Sequence, residues 1–271
     1  MVVLLTLFAV LFGLILGSFF NVLICRIPAN ESILWPASHC PKCSTPLKPW
    51  HNIPVLSFLF LRGRCCFCKA PIPVMYPAVE LVTGTAALAV WLLIIAPQLP
   101  CGWTPVPNLV LQALFLLLLI PVSVIDLQHY IIPDRLSLSL LACAIAVSFV
   151  PGPLTPLSSL LGILAGGGSL YAVGWIGTAL LKKDAMGGGD IKLMAAAGAL
   201  WGAQTVLLAI IFGAMIGSIY GITLMLLRKI NARHQIPFGP FLGGGIWVAV
   251  LYGTDILNWY ISLIGTTAGR P

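Results

Sequence analysis

The sequence predicts an all-helical protein that crosses a membrane about eight times and carries a small cysteine-rich domain between its first two spans. Three observations lead to this class. Hydrophobic residues make up 59% of the 271 positions and charged residues only 8%, whereas a soluble domain carries roughly 25% charged residues. The apolar residues fall into runs of about 18 to 25, long enough to cross the hydrocarbon layer. Lysine and arginine cluster in the connections on one side of these runs.

The eight predicted spans follow the apolar runs in order. They lie near 2–24, 74–96, 108–125, 135–150, 157–181, 190–202, 204–227 and 240–263. The first lacks a basic leading segment and a small-residue cleavage site, so we interpret it as a retained span rather than a signal peptide. A single helix over 191–227 would be roughly 55 Å long. We therefore predict a break at Gly202-Ala203-Gln204 that divides this run into two crossings.

The basic residues predict which side each connection faces. With the N-terminus outside, eight spans place 13 of the 14 lysines and arginines on the cytoplasmic side, and only Arg270 lies opposite. Positively charged connections are retained on that side of a membrane. The net charge of +7 is thus interpreted as a topology signal and not as a sign of nucleic acid binding. We expect a multi-pass membrane protein with both termini outside.

Glycines at four-residue spacing recur within the predicted spans. Small residues at this spacing let two helix backbones approach closely within a membrane. We interpret these glycines as packing features. They are Gly13/Gly17, Gly162/Gly166 and Gly213/Gly217/Gly221.

One segment, 26–73, is polar and proline-rich and predicts a small cytoplasmic domain between spans 1 and 2. The predicted organisation is therefore a first span (1–25), this cysteine-rich domain and a membrane domain (74–271). Disulfides are not expected in a reducing cytosol. The segment contains two tight cysteine pairs, Cys40/Cys43 and Cys65/Cys68. Two thiolates from each pair could complete one tetrahedral Zn²⁺ site. Redox-active or simply buried cysteines are the alternatives, and Cys66 could compete with Cys68.

Two of the seven acidic residues lie at the ends of predicted spans. Asp126 ends the third span and Asp190 opens the sixth, both on the cytoplasmic side, so the two carboxylates could meet at one depth. An ionisable group at membrane depth is costly and is a functional hypothesis by default. Two adjacent carboxylates tend to share one proton. The ionised one can then activate water while the protonated one donates a proton, which is the chemistry of an aspartic peptidase.

The other acids near these motifs have plainer interpretations. Asp134 follows a proline and is expected to be the N-cap of the next helix. Asp184 is interpreted as a solvated loop charge and Asp255 as an interfacial residue of the last span. A further N-cap is the alternative for Asp190, but a cap does not require the three glycines before it. A loop whose backbone is closely approached by an extended peptide does require glycines at these positions.

These motifs resemble those of the type IV prepilin peptidases, the GxGD membrane aspartic proteases. "DLQHYIIPD" and "MGGGDIKLM" are similar to the two aspartate motifs of that family. "LGSFFNVLICRIP", "SHCPKC", "HNIPVLSFLFLRGRCCFCKAPIP", "YPAVELVTG" and "FGPFLGGG" agree in order over nearly the whole chain. Phe20 and Cys25 depart from the residues more usual there. By position, the resemblance implies that Asp126 and Asp190 are the catalytic pair.

The resemblance also implies the reaction. Such an enzyme of the bacterial inner membrane cleaves the short basic leader from prepilins and pseudopilins of type IV pili or type II secretion, at the cytoplasmic face. It then N-methylates the new terminus with S-adenosylmethionine. The sequence has no strand–glycine-turn–helix pattern of a Rossmann methyltransferase, so methylation follows from the resemblance alone. Glu80 is the one carboxylate near the cysteine-rich domain that could bind the cofactor or the substrate amine. A pair with a loop lysine or arginine is its equal alternative.

Three other functions stay open at this point. The chain could be a peptidase without methylation, or a zinc-dependent assembly protein without catalysis. Paired acids at helix ends also occur in ion- or proton-coupled transporters, but those have polar residues along several spans, and these spans are almost wholly apolar. The expected partners are prepilin substrates and the lipid bilayer, with no nucleic acid, and a homo-oligomer is left open.

Overall fold

The computed structural model describes residues 2–101, 106–152, 154–182, 186–229 and 235–268. Within them the predicted all-helical class is confirmed, since the only β-pairing is two isolated bridges. One π-helical turn follows α3, and another, Leu164–Gly168, joins α6 to α7. The helices are α1 Val2–Arg26, α2 Leu56–Phe60, α3 Met75–Val90, α4 Val106–His129, α5 Asp134–Ser148, α6 Pro156–Ile163, α7 Ser169–Leu181, α8 Gly188–Leu226 and α9 Gly239–Ala268.

By length and composition, six helical segments of the described residues can cross a membrane. They are Val3–Arg26, Met75–Gln98, Val106–His129, Pro156–Leu180, Gly188–Leu226 and Gly239–Leu263. The two remaining predicted spans are also helical. One is α5, whose 15 residues make it about 22 Å long. The other is gained because the segment Gly188–Leu226, counted once above, consists of two successive helices. The chain is therefore a multi-pass membrane protein with eight apolar helices in the described part.

Gly202 breaks α8 at the predicted place. Its φ of 80° and ψ of 175° are non-helical, and glycine adopts such a positive φ at little cost because it has no Cβ. The break divides α8 into a first arm, 188–201, and a second arm, 203–226. The predicted break is thereby confirmed, and the run consists of two helices.

The chain divides into two compact units, 1–104 with 113–129 and 105–112 with 130–271. In the first unit, α1 packs along α3 with glycine at the contact. A Cβ at Gly17 would lie 2.6 Å from the Cα of Glu80, and one at Gly13 would overlap the Cβ of Ala87. The predicted role of this glycine pair in packing is confirmed.

In the second unit, the first arm of α8 is buried on all sides beyond its first turn. Leu193, Met194 and Ala196 have no exposed surface. The backbones of Gly162 and Gly198 touch, so a Cβ on either would overlap the carbonyl of the other. The second arm of α8 packs on α9 in the same manner, with a Cβ at Gly213 only 3.0 Å from the Phe241 carbonyl oxygen. The predicted packing role of these glycines is also confirmed.

The contact between Gly162 and Gly198 predicts that one glycine-to-alanine substitution lowers the stability of the protein, where such a change in a helix usually raises it. Glycine to alanine inside a helix normally stabilises by roughly 0.5–1 kcal/mol, but Gly198→Ala places a methyl group against the backbone of Gly162. We expect it to destabilise the protein by about 1–3 kcal/mol, as overpacking does. Gly168→Ala is the matched control, because a Cβ there has no neighbour within 4 Å. Thermal unfolding in detergent measures both, and equal melting temperatures would contradict the close approach.

Candidate functional site

The cysteine-rich segment contains the same short turn twice, in 39–46 and in 64–71. In each copy the first cysteine's N–H donates to the carbonyl five residues later, at 3.0 and 2.8 Å, and its carbonyl accepts from the N–H four residues later, at 2.8 and 3.0 Å. That fourth residue, Ser44 or Lys69, has a positive φ. Isolated β-bridges close both copies, His39 with Pro46 and Arg64 with Pro71. Sequence reasoning missed this repeat, although "HCPKCSTP" and "RCCFCKAP" share Cys-x2-Cys-x2-Pro.

The two turns bring four sulfur atoms together. The Sγ atoms of Cys40, Cys43, Cys65 and Cys68 all lie within 4.8 Å of one another, and those of Cys40 and Cys68 are 3.9 Å apart. A tetrahedral Zn²⁺ with Zn–S bonds of about 2.3 Å separates its sulfur ligands by about 3.8 Å. The four predicted ligands are therefore brought together at distances that fit one metal ion.

Hydrogen bonds and neighbouring sulfurs control the charge of this cluster. Bonds from Thr45 lower the pKa of Cys43 to about 6, and the backbone amide of Cys68 lowers the pKa of Cys65. The Ala70 amide acts on Cys68 in the same direction, but burial and the adjacent sulfurs outweigh it and raise the pKa of Cys68 to about 11. Several thiolates this close repel one another. A divalent cation relieves that repulsion, because it binds the deprotonated form.

The fifth cysteine of the segment lies outside the cluster. The Sγ of Cys66 is 3.8 Å from Nδ1 of His51, and the His51 ring packs edge-on against Trp50 and Phe67. Cys66 and His51 thus contact each other, and neither belongs to the four-sulfur group. The competition between Cys66 and Cys68 that the sequence left open is absent from this arrangement.

Glu80 connects α3 to the cysteine-rich segment. One carboxylate oxygen, Oε2, accepts the backbone N–H of Val55 at 2.7 Å, and the Ser18 hydroxyl of α1 bonds to the same side chain. Val55 has a φ of 60°, a strained value for a β-branched residue. Glu80 is 9% exposed and forms no ion pair with any residue that the structure describes. Its described partners are an amide and a hydroxyl, and not a loop lysine or arginine.

A buried arginine that sequence reasoning did not single out organises the start of the cysteine-rich segment. Arg26, at the end of α1, is 8% exposed. Its guanidinium donates to the carbonyls of Ser32 (3.0 Å), Ile33 (3.4 Å) and Pro36 (2.7 Å). The sequence does contain a signal for this role, because Arg26 directly follows an apolar span within the motif "LGSFFNVLICRIP".

The two predicted catalytic aspartates belong to different units. Asp126 lies in the last turn of α4 in the first unit and is buried, at 5% exposed. Asp190 lies in the first turn of α8 in the second unit and is half-buried. Gly187, with extended φ and ψ, occupies the N-cap position of α8. The N-cap alternative for Asp190 is therefore wrong.

The other acids of the second unit lie as follows. Asp134 is the first helical residue of α5 and Pro133 holds the N-cap position, because its ψ of 124° is extended. The predicted N-cap is thus wrong by one residue. Asp134 instead accepts a hydrogen bond from Lys192 Nζ at 2.7 Å. Asp255 is exposed in α9. Asp184 lies outside the described residues.

Comparisons with known proteins agree with one another over most of the chain. The model "Bacterial Peptidase A24 N-terminal domain" matches residues 11–94, and "Type IV leader peptidase family" matches residues 113–222. Three similar curated proteins carry the name prepilin leader peptidase/N-methyltransferase. The one from Aeromonas salmonicida (strain A449) is 35% identical and covers 94% of this chain and 93% of the relative. The others are from Bacillus subtilis (strain 168), 37% identical over 93% and 96%, and Pseudomonas aeruginosa, 33% identical over 94% and 93%. No solved structure matches the chain significantly.

Proposed function

Because the chain belongs to the type IV leader peptidase family, we propose that it removes the leader from prepilins or pseudopilins and then N-methylates the new amino terminus. The observation that carries this proposal is the similarity over 94% of the chain to an enzyme named for both reactions. Both matched domains are present in order in one polypeptide. A transporter is disfavoured by the same similarity, since the relatives are peptidases by name.

We assign the peptidase reaction to Asp126 and Asp190 acting as a pair. Both lie within 113–222, the segment that matches the leader peptidase family. In this mechanism the ionised carboxylate takes a proton from water, whose oxygen attacks the scissile carbonyl carbon while the protonated carboxyl donates to the carbonyl oxygen. The carbon–nitrogen bond then breaks, and the proton taken from water passes to the leaving amine. One shared proton suffices for both roles.

The helix termini and the charge pattern support a cytoplasmic position for this chemistry. In the proposed topology α4 ends and α8 begins on the cytoplasmic side of the inner membrane, with both chain termini outside. The cationic segments 26–69 and 228–233 lie on that same side. Cysteine labelling tests the orientation. Labels placed near Lys42, Lys182 and Lys229 should react only from the cytoplasm, and labelling at Lys182 from outside would overturn it.

We assign a structural Zn²⁺ to the four clustered cysteines. Each of the two equivalent turns contributes two sulfurs, so the ion would join turns that lie 25 positions apart in the sequence. A closed four-sulfur set has no open position for substrate, which is the property of a structural and not a catalytic site. The metal would thereby hold the segment 26–73 in one conformation.

We assign the methyl donor to S-adenosylmethionine, which supplies an activated methyl group to a neutral amine. Glu80 is the proposed acidic contact for the cationic donor or for the new amino terminus. Its carboxylate is buried and bonded to the Val55 amide, which places it where α3 meets the cysteine-rich segment. These contacts would orient the carboxylate, and they agree with a role for this segment in methylation.

Incubation of the purified full-length protein with a synthetic prepilin peptide and S-adenosylmethionine tests the proposal. Mass spectrometry should detect loss of the leader and the gain of one methyl group on the mature peptide. Cleavage without methylation would indicate a peptidase only. Absence of both reactions, in protein that is folded and zinc-loaded, would overturn the proposed function.

A further inference from the structure

An ion pair between two helices lies two positions from Asp190 in the sequence. Lys192 Nζ of α8 and Asp134 Oδ1 of α5 are 2.7 Å apart. Both residues belong to the second compact unit, and they are separated by 58 positions in the sequence. The contact therefore connects the N-terminal ends of two different helices, one of which carries a proposed catalytic residue.

A second contact fixes the same junction from the apolar side. A Cβ at Gly189 would lie 2.7 Å from the Cβ of Ile132 and 3.2 Å from its carbonyl oxygen. The backbone immediately before Asp190 therefore touches the segment that leads into α5. Ile132 is 8% exposed and Ser137 is fully buried. The two helix starts are thus joined by one apolar and one ionic contact, on either side of Asp190 in the sequence.

Burial changes abruptly along the first arm of α8. Residues 193–200 are buried, whereas Gly188 is exposed and residues 189–192 are only half-buried. The core of the second unit therefore holds the arm firmly, but it does not enclose the turn that bears Asp190. Helix ends fray where such packing stops. The Gly189–Ile132 contact and the Asp134–Lys192 ion pair both lie at this half-buried start of α8, so they are placed to constrain it.

We propose that the Asp134–Lys192 ion pair is a positioning device that holds the first turn of α8, and with it the Asp190 carboxylate, against the start of α5. This inference rests on the proposed peptidase function. Lys192 and Asp134 are positioning residues in it, because they act through the backbone of α8 and not on the substrate. Their side chains are 39% and 57% exposed, and ion pairs at exposed sites contribute little to global stability. The pair should therefore affect turnover and not folding.

The test compares five variants of the full-length protein on a prepilin peptide, three of them changed at the ion pair. Lys192→Met and Asp134→Asn should each lower kcat about 10- to 100-fold, because a misplacement of about 1 Å in a catalytic group costs on the order of 100-fold. KM and the melting temperature should stay near the wild-type values. The exchange Asp134→Lys with Lys192→Asp should recover at least several-fold over either single variant. Recovery should be partial, since lysine in the first turn of α5 opposes the helix dipole.

Arg135→Met is the matched control, because it removes a positive charge adjacent to Asp134 from an exposed residue that forms no ion pair within the described residues. Wild-type kcat in Lys192→Met would overturn the inference, and so would an exchange variant no more active than the single variants. Asp190→Asn, assayed in parallel, separates the two hypotheses. Its inactivity alongside a fully active Lys192→Met would leave the peptidase assignment intact and remove only the positioning role. Wild-type protein that cannot cleave the peptide would remove both.

Discussion

Replacing Asp190 with asparagine should abolish leader cleavage, and Asp126→Asn should do the same. Asparagine preserves the size and much of the hydrogen bonding of aspartate, but it cannot exchange a proton at physiological pH. A single remaining carboxylate cannot both take the proton of water and supply one to the carbonyl oxygen. We expect the cleavage rate to fall by about 10³-fold or more, in the range that general acid–base groups contribute. Mass-resolved cleavage of a prepilin peptide by the purified variants measures this.

Asp255→Asn is the control for this experiment. It removes an exposed carboxylate from α9, in the same compact unit as Asp190, and should leave cleavage unchanged. Substantial activity in either the Asp126 or the Asp190 variant, with the control at wild-type rate, would exclude the aspartate pair. Loss of activity in all three would point to a general effect of acidic residues on folding or insertion.

Replacing Cys65 with serine should remove the metal from the cysteine-rich segment. Wild-type protein should contain one zinc ion per chain, and the variant should contain little. The apparent free energy of structural zinc binding in small domains is about 10–16 kcal/mol, so loss of one ligand removes most of what holds the two turns together. Metal analysis of the purified protein measures the content. Cys66→Ser is the matched control, because its sulfur faces His51 and lies outside the cluster.

The same variants separate the two proposed reactions. Cys65→Ser should impair methylation of a pre-cut peptide more than it impairs leader cleavage, whereas Asp126→Asn should still methylate such a peptide. The reason is that, in the proposed function, the aspartate pair serves leader cleavage and the cysteine-rich segment serves methylation. Incorporation of a labelled methyl group measures the second step alone. Loss of methylation in a folded, zinc-loaded Asp126→Asn protein would instead indicate one shared site, and zinc-free Cys65→Ser with normal methylation would remove the segment from that reaction.

The helices could be predicted from the sequence because a helix that crosses a membrane is recognised by the length and the apolar composition of its segment. The break at Gly202 followed from the requirement that two basic clusters face the same side, and the left-handed φ of that glycine accounts for it locally. The start of α5 was predicted one residue late, because Asp134 was expected to be the N-cap and is instead the first helical residue. Aspartate is a favoured N-cap residue, but Pro133 is extended and occupies that position itself. Local cap preference alone could not decide between two adjacent residues.

The four clustered cysteines could be predicted because the spacing within each cysteine pair is a property of the chain alone. The position of Cys66 outside the cluster could not be predicted, since it depends on the direction in which the side chains of the second turn point. The bond between Asp134 and Lys192 joins residues that are distant in sequence, and no local pattern connects them. The same holds for Glu80, whose partner is the backbone of Val55. Long-range polar contacts of this kind require the tertiary structure.

The short length of α5 has a consequence for the lipid around the protein. At about 22 Å it falls about 8 Å below the hydrocarbon thickness of a typical bilayer, and its Leu138 and Ile145 side chains are exposed. In the proposed topology α5 crosses the membrane, and the acyl chains beside it would then compress, at a cost of fractions of a kcal/mol for each ångström. The protein would thus create a thinned annulus on the flank where the bond between Asp134 and Lys192 lies. Lipids with short acyl chains would relieve that elastic cost, so membrane thickness would become a physical variable that acts on this enzyme.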